Sequence, residues 1–461
     1  MVVLSCIAVV GVMALLVAWQ WADVRTLRAA APLDPAAADV AVTPPSTPML
    51  SFRRAPGVLS RHLNAGSFAT ALAPVIDRLD ATSCLAVSVD GQPIAGVRET
   101  MPLSPASNMK LITGAVALDV LGPNFRYTTR VVGQMDASGV VNGDLALVGG
   151  GDPVLVTAAG LAANNQRHRP VNTTSLDALA DAVVQAGVTR VTGHLVGDAS
   201  RYDDEHFIPS WDASIHGTSG GPYGALMVDD AEARSGADPA LAAATKFATL
   251  LRDRGVVIEQ PPVAGTASFA DEIATIDSTP LAEILQELLL TSDNNTAEMM
   301  VKEIGVEASN TGSTVAGLAV MRDRLVSWGV PTDGMELFDG SGLSTSDRVS
   351  CATLLGVLQH GSIDDAVGQG LPVAASSGTL ADVFGGSMLA GRMRAKTGTL
   401  NNVKALSGYV PLEGGGTIEF SLIQNSPNVD DGAYLVFWQK VLGPALVTYP
   451  SGPTAAQLAP R

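Results

Sequence analysis

The stretch SPASNMKLITGAVALDVL, residues 104–121, begins with a polar turn and continues as a mostly apolar segment. Serine followed by proline is typical of a helix start, because serine caps a helix and proline fits its first position. The stretch therefore predicts a helix that runs to about Leu121, with Ser107 in its first turn. Lys110 follows Ser107 by three residues, so it lies on the same helical face and within reach of the serine hydroxyl.

An activated serine is the chemistry that this spacing allows. The first N–H groups of a helix have no helical partner, so the N–H of Ser107 can point at a developing oxyanion, where the helix dipole adds positive potential. Lys110 can act as the base only if its pKa falls well below the reference value of about 10.4. Burial and a second nearby cation both lower the pKa of a lysine. The string S-x-x-K alone is equally compatible with a serine and a lysine on a helix surface, since it is short enough to occur by chance.

Two further strings follow in the chain, Ser292-Asp-Asn294 and Lys396-Thr-Gly398, and two of the six lysines of the sequence fall in the three strings. Ser292 lies between two apolar helical segments, which predicts a loop that enters a cleft. Its hydroxyl can pass a proton from the lysine to a leaving amine, and the Asn294 amide can hold a substrate carbonyl. The competing interpretation is a plain helix N-cap, for which Ser, Asp and Asn are all preferred.

The third string precedes a predicted strand and has the composition of an anion site. The Lys396 ammonium and the Thr397 hydroxyl can bind a terminal carboxylate, and Gly398 allows a ligand backbone to approach closely. The N–H of Thr399 can supply a second oxyanion donor. If this string lies beside the first, Lys396 is also the cation that lowers the pKa of Lys110. The alternative is an ordinary turn at a strand edge.

Composition limits the class of protein. The chain has 461 residues, of which 47% are hydrophobic and 16% are charged, so a globular protein with a large core is predicted. Its formal charge of -17 argues against nucleic acid and anionic membrane surfaces as partners, because both repel an acidic protein. Small substrates remain open.

The stretch Val2–Ala22 is almost wholly apolar, and about 20 such residues can span a bilayer or serve as a signal sequence. Export to the cell envelope is therefore predicted, with the protein either anchored by this segment or secreted after its cleavage. Cys84 and Cys351 can form a disulfide in an oxidising compartment, and two buried free thiols are an equal alternative.

Changes in residue pattern, from strand-like to helix-like segments, divide the rest of the chain into regions. β-Branched segments begin at Tyr127 and a helical texture resumes near Asp238, so the region between them is interpreted as an inserted domain. Strands at both ends and helices in the middle predict one sheet assembled from distant segments. The predicted organisation is an N-terminal segment at 1–22, a linker at 23–67, a main domain at 68–126 and 237–445, an inserted domain at 127–236, and a tail at 446–461.

Other motifs carry weaker signals. Gly217-Thr-Ser-Gly-Gly221 matches the hydrolase pattern G-x-S-x-G, but it lies in a Gly-rich loop without the required strand and helix, so it is interpreted as a chance match. Gly149-Gly-Gly-Asp-Pro153 lacks the Gly-Lys-Ser/Thr of a phosphate loop and predicts a turn. The six histidines show no zinc-binding spacing. Neither a metal nor a cofactor is predicted.

The combination S-x-x-K, S-D-N and K-T-G resembles the motif set of penicillin-binding proteins and class A β-lactamases. Ser292 follows Ser107 by 185 residues, a longer gap than in β-lactamases, and across about residues 68–442 the chain resembles the D-alanyl-D-alanine carboxypeptidase/endopeptidase family of low-molecular-mass class C penicillin-binding proteins. The supporting strings are Pro105-Ala-Ser-Asn-Met-Lys110, Leu147-Val-Gly-Gly-Gly-Asp-Pro153, Ser292-Asp-Asn-Asn295, Asp339-Gly-Ser-Gly-Leu-Ser344 and Arg394-Ala-Lys-Thr-Gly-Thr399.

The resemblance implies an α/β (α+β) fold, in which a β-lactamase/transpeptidase-like domain, an antiparallel sheet flanked by helices, is split by an inserted α+β domain. It implies Ser107 as nucleophile, peptidoglycan stem peptides ending in D-Ala-D-Ala as substrates, and β-lactams as covalent inhibitors. Asp212 resembles an insert-domain aspartate that contacts the amine of the stem peptide's diamino acid. Thr345 stands where family members often have Arg, which leaves the preferred diamino acid open.

Two other functions stay open. The first is a serine β-lactamase or esterase on the same scaffold, which needs a deacylating base, and Glu298 is available for that role. The second is a catalytically idle protein that binds peptidoglycan. The balance between carboxypeptidase and endopeptidase activity is not determined by the sequence.

Overall fold

The structure is a computed structural model that describes residues 13, 15–18, 57–163, 170–230, 238–268, 271–413, 415–427, 429 and 432–449. Most of the predicted segment Val2–Ala22, the predicted linker 23–67 as far as residue 56 and the predicted tail from residue 450 lie outside the described residues. The predicted end of the linker at residue 67 is wrong, because a helix already begins at Gly57. Within those ranges, no helix combines the length and the apolar character needed to cross a membrane. The described residues from Gly57 onward pack as one compact unit.

Helices and strands follow one another along this unit. The helices are α1 (Gly57–Ile76), α2 (Met109–Leu121), α3 (Ala158–Ala163), α4 (Leu176–Gln185), α5 (Pro239–Asp253), α6 (Leu281–Thr291), α7 (Asn294–Ser309), α8 (Thr314–Ser327), α9 (Cys351–His360), α10 (Ala366–Gly370), α11 (Ala433–Phe437) and α12 (Gly443–Leu446). The strands are β1 (Ser83–Val89), β2 (Gln92–Val97), β3 (Thr128–Met135), β4 (Val140–Val148), β5 (Leu155–Val156), β6 (Thr174–Ser175), β7 (Arg190–Val191), β8 (Leu195–Asp198), β9 (Val257–Ile258), β10 (Val263–Ala264), β11 (Glu272–Asp277), β12 (Arg394–Leu400), β13 (Val403–Pro411) and β14 (Thr417–Asn425).

A five-stranded sheet combines strands from both ends of this unit. Its order is β12-β13-β14-β1-β2, and each neighbouring pair is antiparallel. Strand β1 is joined to β14 over its whole length, with Ser83 opposite Gln424 and Val89 opposite Ile418. The prediction of one sheet built from distant segments, with helices around it, is confirmed.

Alternate side chains of this sheet enter two cores. On β14, Phe420 and Leu422 pack in a core with Leu72 of α1, while Ile423 packs in the core that contains α2, α6, α7 and α9. Helix α2 is buried at nearly every position up to Ala117, because it is surrounded by the sheet and by these helices. The helix that follows Ser107 is therefore the central element of the fold.

A second, seven-stranded sheet lies between residues 128 and 277. Its main order is β10-β8-β4-β3-β11, and β7 pairs with β4 and β9. The core below it contains Leu179 of α4 and Phe247 of α5 together with Ile258 and Ala274. The structure thus differs from the predicted boundary at residue 236, since α5 and β9 to β11 pack with the inserted domain. The texture change near Asp238 marks the start of a helix but does not reveal which core that helix joins.

A disulfide bond joins Cys84 of β1 to Cys351, the first residue of α9, across 267 residues of sequence. It is buried in the same core as α2. Val349, two residues before Cys351, forms an antiparallel bridge with Leu103, shortly before the nucleophile segment. Of the two alternatives that the sequence left open, the structure contains the disulfide.

Candidate active site

Ser107 lies in a short 3₁₀ turn, Ala106–Asn108, which runs directly into α2. The prediction that Ser104 caps the helix is wrong, because no side chain caps the turn and the buried Ser104 hydroxyl has no hydrogen-bond partner within the described residues. The reason is local: Ala106 has a φ of +47°, a conformation that a helix cannot contain and that costs a non-glycine residue energy. The half-buried Ser107 is thereby held at a bend, at the edge of a cleft.

Lys110 contacts three groups of the site. Its Nζ lies 3.2 Å from Ser107 Oγ, 2.6 Å from Asn294 Oδ1 and 2.8 Å from the main-chain oxygen of Ser341. The side chain is fully buried. The predicted spacing of serine and lysine along one helical face is therefore present, and the first and second strings meet at this ammonium.

Burial lowers the pKa of Lys110 to about 8, although the negative charges of Asp339, Glu298 and Asp293 act in the opposite direction. A group with that pKa is partly neutral near neutral pH, so it can accept the proton of the serine hydroxyl. The sequence predicts that burial and the charge of Lys396 both lower the pKa of Lys110. In the structure, burial is the cause for Lys110.

Ser292 lies between two helices, as the sequence predicts. It ends α6 in the left-handed conformation, with a φ of +66°, and Asp293 caps α7 by accepting a hydrogen bond from Thr296 N at 2.6 Å. The N-cap interpretation therefore applies to Asp293, which leaves Ser292 and Asn294 for the cleft. The Asn294 amide donates to the main-chain oxygen of Ser219 at 2.7 Å, which fixes its Oδ1 toward Lys110.

Lys396 connects the third string to the second. Its Nζ lies 2.9 Å from Ser292 Oγ and 3.0 Å from the main-chain oxygen of Thr397, and the side chain is fully buried. Burial, and then the charge of Lys110, lower the pKa of Lys396 well below its ordinary value. The two lysines of the motifs are therefore near enough to interact, and the repulsion between them lowers the pKa of Lys396.

The rest of the third string runs along the edge strand β12. Gly398 packs against the nucleophile segment, where an added Cβ would lie 2.7 Å from the main-chain oxygen of Pro105, so glycine is required by this contact. Thr399 is exposed and Thr397 is half-buried. The Thr397 hydroxyl lies 2.6 Å from that of Thr379, a residue for which the sequence gave no signal.

The loop Asp339–Ser344 is one of the strings that carry the family resemblance, but its contacts with Glu298 and Lys110 were not predicted from the sequence. Glu298 of α7 accepts hydrogen bonds from the main-chain N–H groups of Gly340 at 2.9 Å and Ser341 at 2.8 Å, one on each carboxylate oxygen. Asp339 accepts from Gly342 N and Ser344 N, each at 2.6 Å. These bonds hold the main-chain oxygen of Ser341 against Lys110, so the loop positions the base.

Glu298 itself is fully buried, and burial together with the charge of Asp339 raises its pKa to about 8. Both of its oxygens are already bonded to the loop. A deacylating base must instead hold a water molecule beside the acyl-enzyme. The geometry therefore favours a structural function for Glu298 over the one considered from the sequence.

The inserted domain supplies one wall of the cleft. Trp211 is buried, and its indole N–H donates to Asp339 Oδ2 at 2.8 Å. The neighbouring Asp212 is exposed and accepts from Ser214 N at 2.8 Å. Hydrogen bonding to the Ser214 hydroxyl, and then to its N–H, lowers the pKa of Asp212. Its predicted contact with substrate stays a prediction.

The Gly217–Gly221 string is part of the same wall. The Ser219 main-chain oxygen binds Asn294, and Gly221 N donates to Asn295 Oδ1 at 2.6 Å. The string is therefore no nucleophile turn, but it does belong to the site. Across the described residues, no three or more His, Cys, Asp or Glu side chains are grouped so that they could hold a metal ion.

Three features of this site define a penicillin-binding serine peptidase. One serine has a buried lysine one helical turn away, a second serine is hydrogen-bonded to a second lysine, and that second lysine lies on the edge strand of an antiparallel sheet. The chain belongs to the D-Ala-D-Ala carboxypeptidase 3 (S13) family, whose model matches residues 71–233 and 230–434.

Similar proteins agree with this assignment. A D-alanyl-D-alanine carboxypeptidase from an Actinomadura species is 30% identical over 412 residues, which cover 70% of this chain and 73% of that protein. Carboxypeptidase DacB from Mycolicibacterium smegmatis is 32% identical over 398 residues, covering 80% and 84%. The crystal structure of penicillin binding protein 4 from Haemophilus influenzae superposes with a TM-score of 0.70 at 20% identity, covering 81% of this chain and 99% of that one, and thus shares its fold.

Proposed function

We propose that this protein is an exported serine D-Ala-D-Ala carboxypeptidase that trims peptidoglycan stem peptides through an acyl-enzyme on Ser107. The observation that carries the proposal is the contact between Ser107 Oγ and the buried Lys110 Nζ at 3.2 Å. The carboxypeptidases that the chain resembles support the reaction type. Since an acyl-enzyme forms equally from a crosslinked peptide, endopeptidase activity is a second reaction of the same site.

Acylation starts when neutral Lys110 accepts the proton of the Ser107 hydroxyl. The serine oxygen then attacks the carbonyl carbon of the penultimate D-alanine, and the oxyanion develops near the N–H groups of Ser107 and Thr399. When the peptide C–N bond breaks, the nitrogen of the leaving D-alanine takes a proton from Lys110 through the Ser292 hydroxyl. Water then hydrolyses the ester and frees Ser107.

Substrate binding uses the groups on either side of this serine. The Asn294 amide has one hydrogen bonded to Ser219 and a second one available for a substrate carbonyl. Lys396 and Thr397 bind the terminal carboxylate that a carboxypeptidase substrate must have. A penicillin carries both a carbonyl and a carboxylate, so we propose that it acylates Ser107 and is retained. A β-lactam complex of penicillin binding protein 4 from Haemophilus influenzae has the same fold as this chain, with a TM-score of 0.63.

The cell envelope is the proposed location. The apolar stretch Val2–Ala22 supports export, and the Cys84–Cys351 disulfide supports an oxidising compartment, where such bonds persist. We propose that the N-terminal segment either anchors the protein or is removed after export. Alkylation of free thiols in protein recovered from the native host would test this proposal: modification of both cysteines without prior reduction would contradict it.

Two measurements test the activity. Intact-protein mass spectrometry after incubation with benzylpenicillin should show one adduct, which Ser107→Ala should lack. Defined muropeptides should lose D-alanine with the wild-type protein and remain intact with the same variant. An adduct that persists in Ser107→Ala would contradict the assignment of the nucleophile. Rapid turnover of benzylpenicillin would favour the β-lactamase alternative, and binding of muropeptides without release of D-alanine would favour an idle binding protein.

A further inference from the structure

A second threonine hydroxyl meets the one in the K-T-G string. Thr379 lies in the 3₁₀ turn Gly378–Leu380, and its Oγ1 is 2.6 Å from Oγ1 of Thr397. Thr379 is exposed, beside the half-buried Thr397. A separation of 2.6 Å between two hydroxyl oxygens is a short hydrogen bond, in which one hydroxyl donates and the other accepts.

The turn that carries Thr379 is held against the site from two directions. Gly378 has a φ of +55°, and an added Cβ would lie 2.4 Å from the main-chain oxygen of Leu290, near the end of α6 and two residues before Ser292. On the other side, Val373 N donates to Ser377 Oγ at 3.0 Å. The turn therefore packs directly against the segment that ends in Ser292.

The chain before the turn is paired with β12 itself. Ala395 N donates to the main-chain oxygen of Pro372 at 3.0 Å, and Ala374 N donates to that of Met393 at 2.9 Å. Thr379 and Thr397 are thus attached to one hydrogen-bonded unit. Their contact is a fixed feature of this wall of the cleft.

The direction of the hydrogen bond decides what a ligand meets. A carboxylate accepts hydrogen bonds and cannot donate, so Thr397 can bind it only with its own proton. That proton is available when Thr397 Oγ1 accepts from Thr379. In a chain of two hydroxyls the first polarises the second, which strengthens its bond to an anion.

We propose that Thr379 is a positioning residue for substrate binding: its hydroxyl donates to Thr397 Oγ1 and thereby directs the Thr397 proton at the terminal carboxylate of the ligand. The inference rests on the proposed function, in which Lys396 and Thr397 hold that carboxylate. It adds a residue outside the three strings to the recognition of the C-terminus.

The test compares wild type, Thr379→Val and Thr379→Ser. Valine has nearly the shape of threonine but no hydroxyl, and serine retains the hydroxyl. The second-order rate constant of acylation is measured with benzylpenicillin and with its methyl ester, which lacks the carboxylate charge. We expect Thr379→Val to slow acylation by benzylpenicillin about tenfold, as the weakening of one hydrogen bond to a charged group implies, and to leave the ester within about twofold. Thr379→Ser should retain the wild-type rate with both.

Two outcomes would overturn the inference. Equal losses with the acid and the ester would mean that Thr379 acts only on the shape of the site. An unchanged or faster reaction of Thr379→Val with benzylpenicillin would mean that the hydrogen bond runs the other way or has no effect. A valine variant with a lowered melting temperature would be replaced by Thr379→Ala, for which the same difference between acid and ester is expected.

The proposed function fails by a different result. Wild-type protein that is acylated by benzylpenicillin but releases no D-alanine from muropeptides would refute the carboxypeptidase activity, while the comparison of acid and ester would still decide the part played by Thr379.

Discussion

Raising the pH from about 6 to about 9 should accelerate acylation of Ser107 about 90-fold, because only neutral Lys110 can accept the serine proton. Burial lowers the pKa of Lys110 from 10.5 to about 8. With that value, the neutral fraction is about 1% at pH 6, about 9% at pH 7 and about 90% at pH 9. A lysine with its ordinary pKa would be only about 0.03% neutral at pH 7, so burial increases the reactive fraction about 300-fold.

The acylation rate should rise with pH, because the neutral form of Lys110 is the base. Below the pKa of Lys110, the rate constant should rise about tenfold per pH unit, and above it the rate should level off. Stopped-flow mixing with a chromogenic β-lactam at constant ionic strength would measure it, with Ser107→Ala as the inactive control. A rate that is constant between about pH 6 and 8 would exclude Lys110 as the base. A rate that still rises steeply above about pH 10 would mean that burial does not lower this pKa.

A matched variant tests the electrostatics separately. Asp293 raises the pKa of Lys110 through its charge and also caps α7. Asn is an equally good N-cap, so Asp293→Asn removes the charge and keeps the helix start. The rise in rate should then move to lower pH, and acylation near pH 7 should become faster. If the rise in rate moved to higher pH instead, the pH dependence could not be assigned to Lys110.

Three further changes have defined outcomes. Replacing Cys84 and Cys351 by Ser should lower the free energy of unfolding by about 2–5 kcal/mol in urea titrations, because a long loop is released in the unfolded chain; equal stability with and without reductant would contradict this. Ser292→Ala should slow acylation by about 10²–10⁴, the usual share of a proton-transfer group, while the protein still melts at the wild-type temperature. Gly342→Ala should lower the melting temperature and the acylation rate, because the φ of Gly342 is +80° and a Cβ would lie 1.9 Å from a main-chain oxygen. Gly385→Ala, with open space around the added methyl group, is its control and should behave as wild type.

That the three strings lie close together in space was predictable, because the chemical function of each string requires residues of the others. Ser107 needs a base, Lys110 fits by helical spacing, and a lysine base needs burial or a second cation. These requirements depend on residue types and short spacings, which a sequence shows directly. The sheet built from distant segments was predictable for a similar reason, since strand patterns occur at both ends of the domain.

The support around the lysine was not predictable from the sequence. Glu298 lies in an ordinary helical pattern, and its partners Gly340 and Ser341 are about 40 residues away, so no local spacing connects them. The sequence offered Glu298 as a deacylating base because a glutamate near the motif is available for proton transfer. Only the packing shows that both oxygens are used to hold a loop.

The same distinction explains the misplaced helix start. Ser104-Pro105 matches a helix N-terminus in composition, but the positive φ of Ala106 delays the helix until Met109. The main-chain oxygen of Ala106 packs closely against Gly342, a contact between segments more than 200 residues apart that no local sequence pattern shows. Residues at a strained bend next to a nucleophile are where local propensity is least informative.

The inserted domain and the catalytic groups share one rigid element, helix α7. The helix begins at Asn294 in the cleft, and two turns later its fully buried Lys302 donates to Asp203 Oδ1 at 2.5 Å. The next residue, the equally buried Glu303, binds the Arg201 guanidinium through both of its oxygens. Lys302 and Glu303 are buried while their partners are partly exposed, and a buried charge that loses its partner is left uncompensated, so these contacts hold the segment around Arg201 against the helix. The same segment continues along the chain to Ser219, whose main-chain oxygen accepts a hydrogen bond from the Asn294 amide. The long insertion between the first two strings is therefore attached to the helix that begins at Asn294.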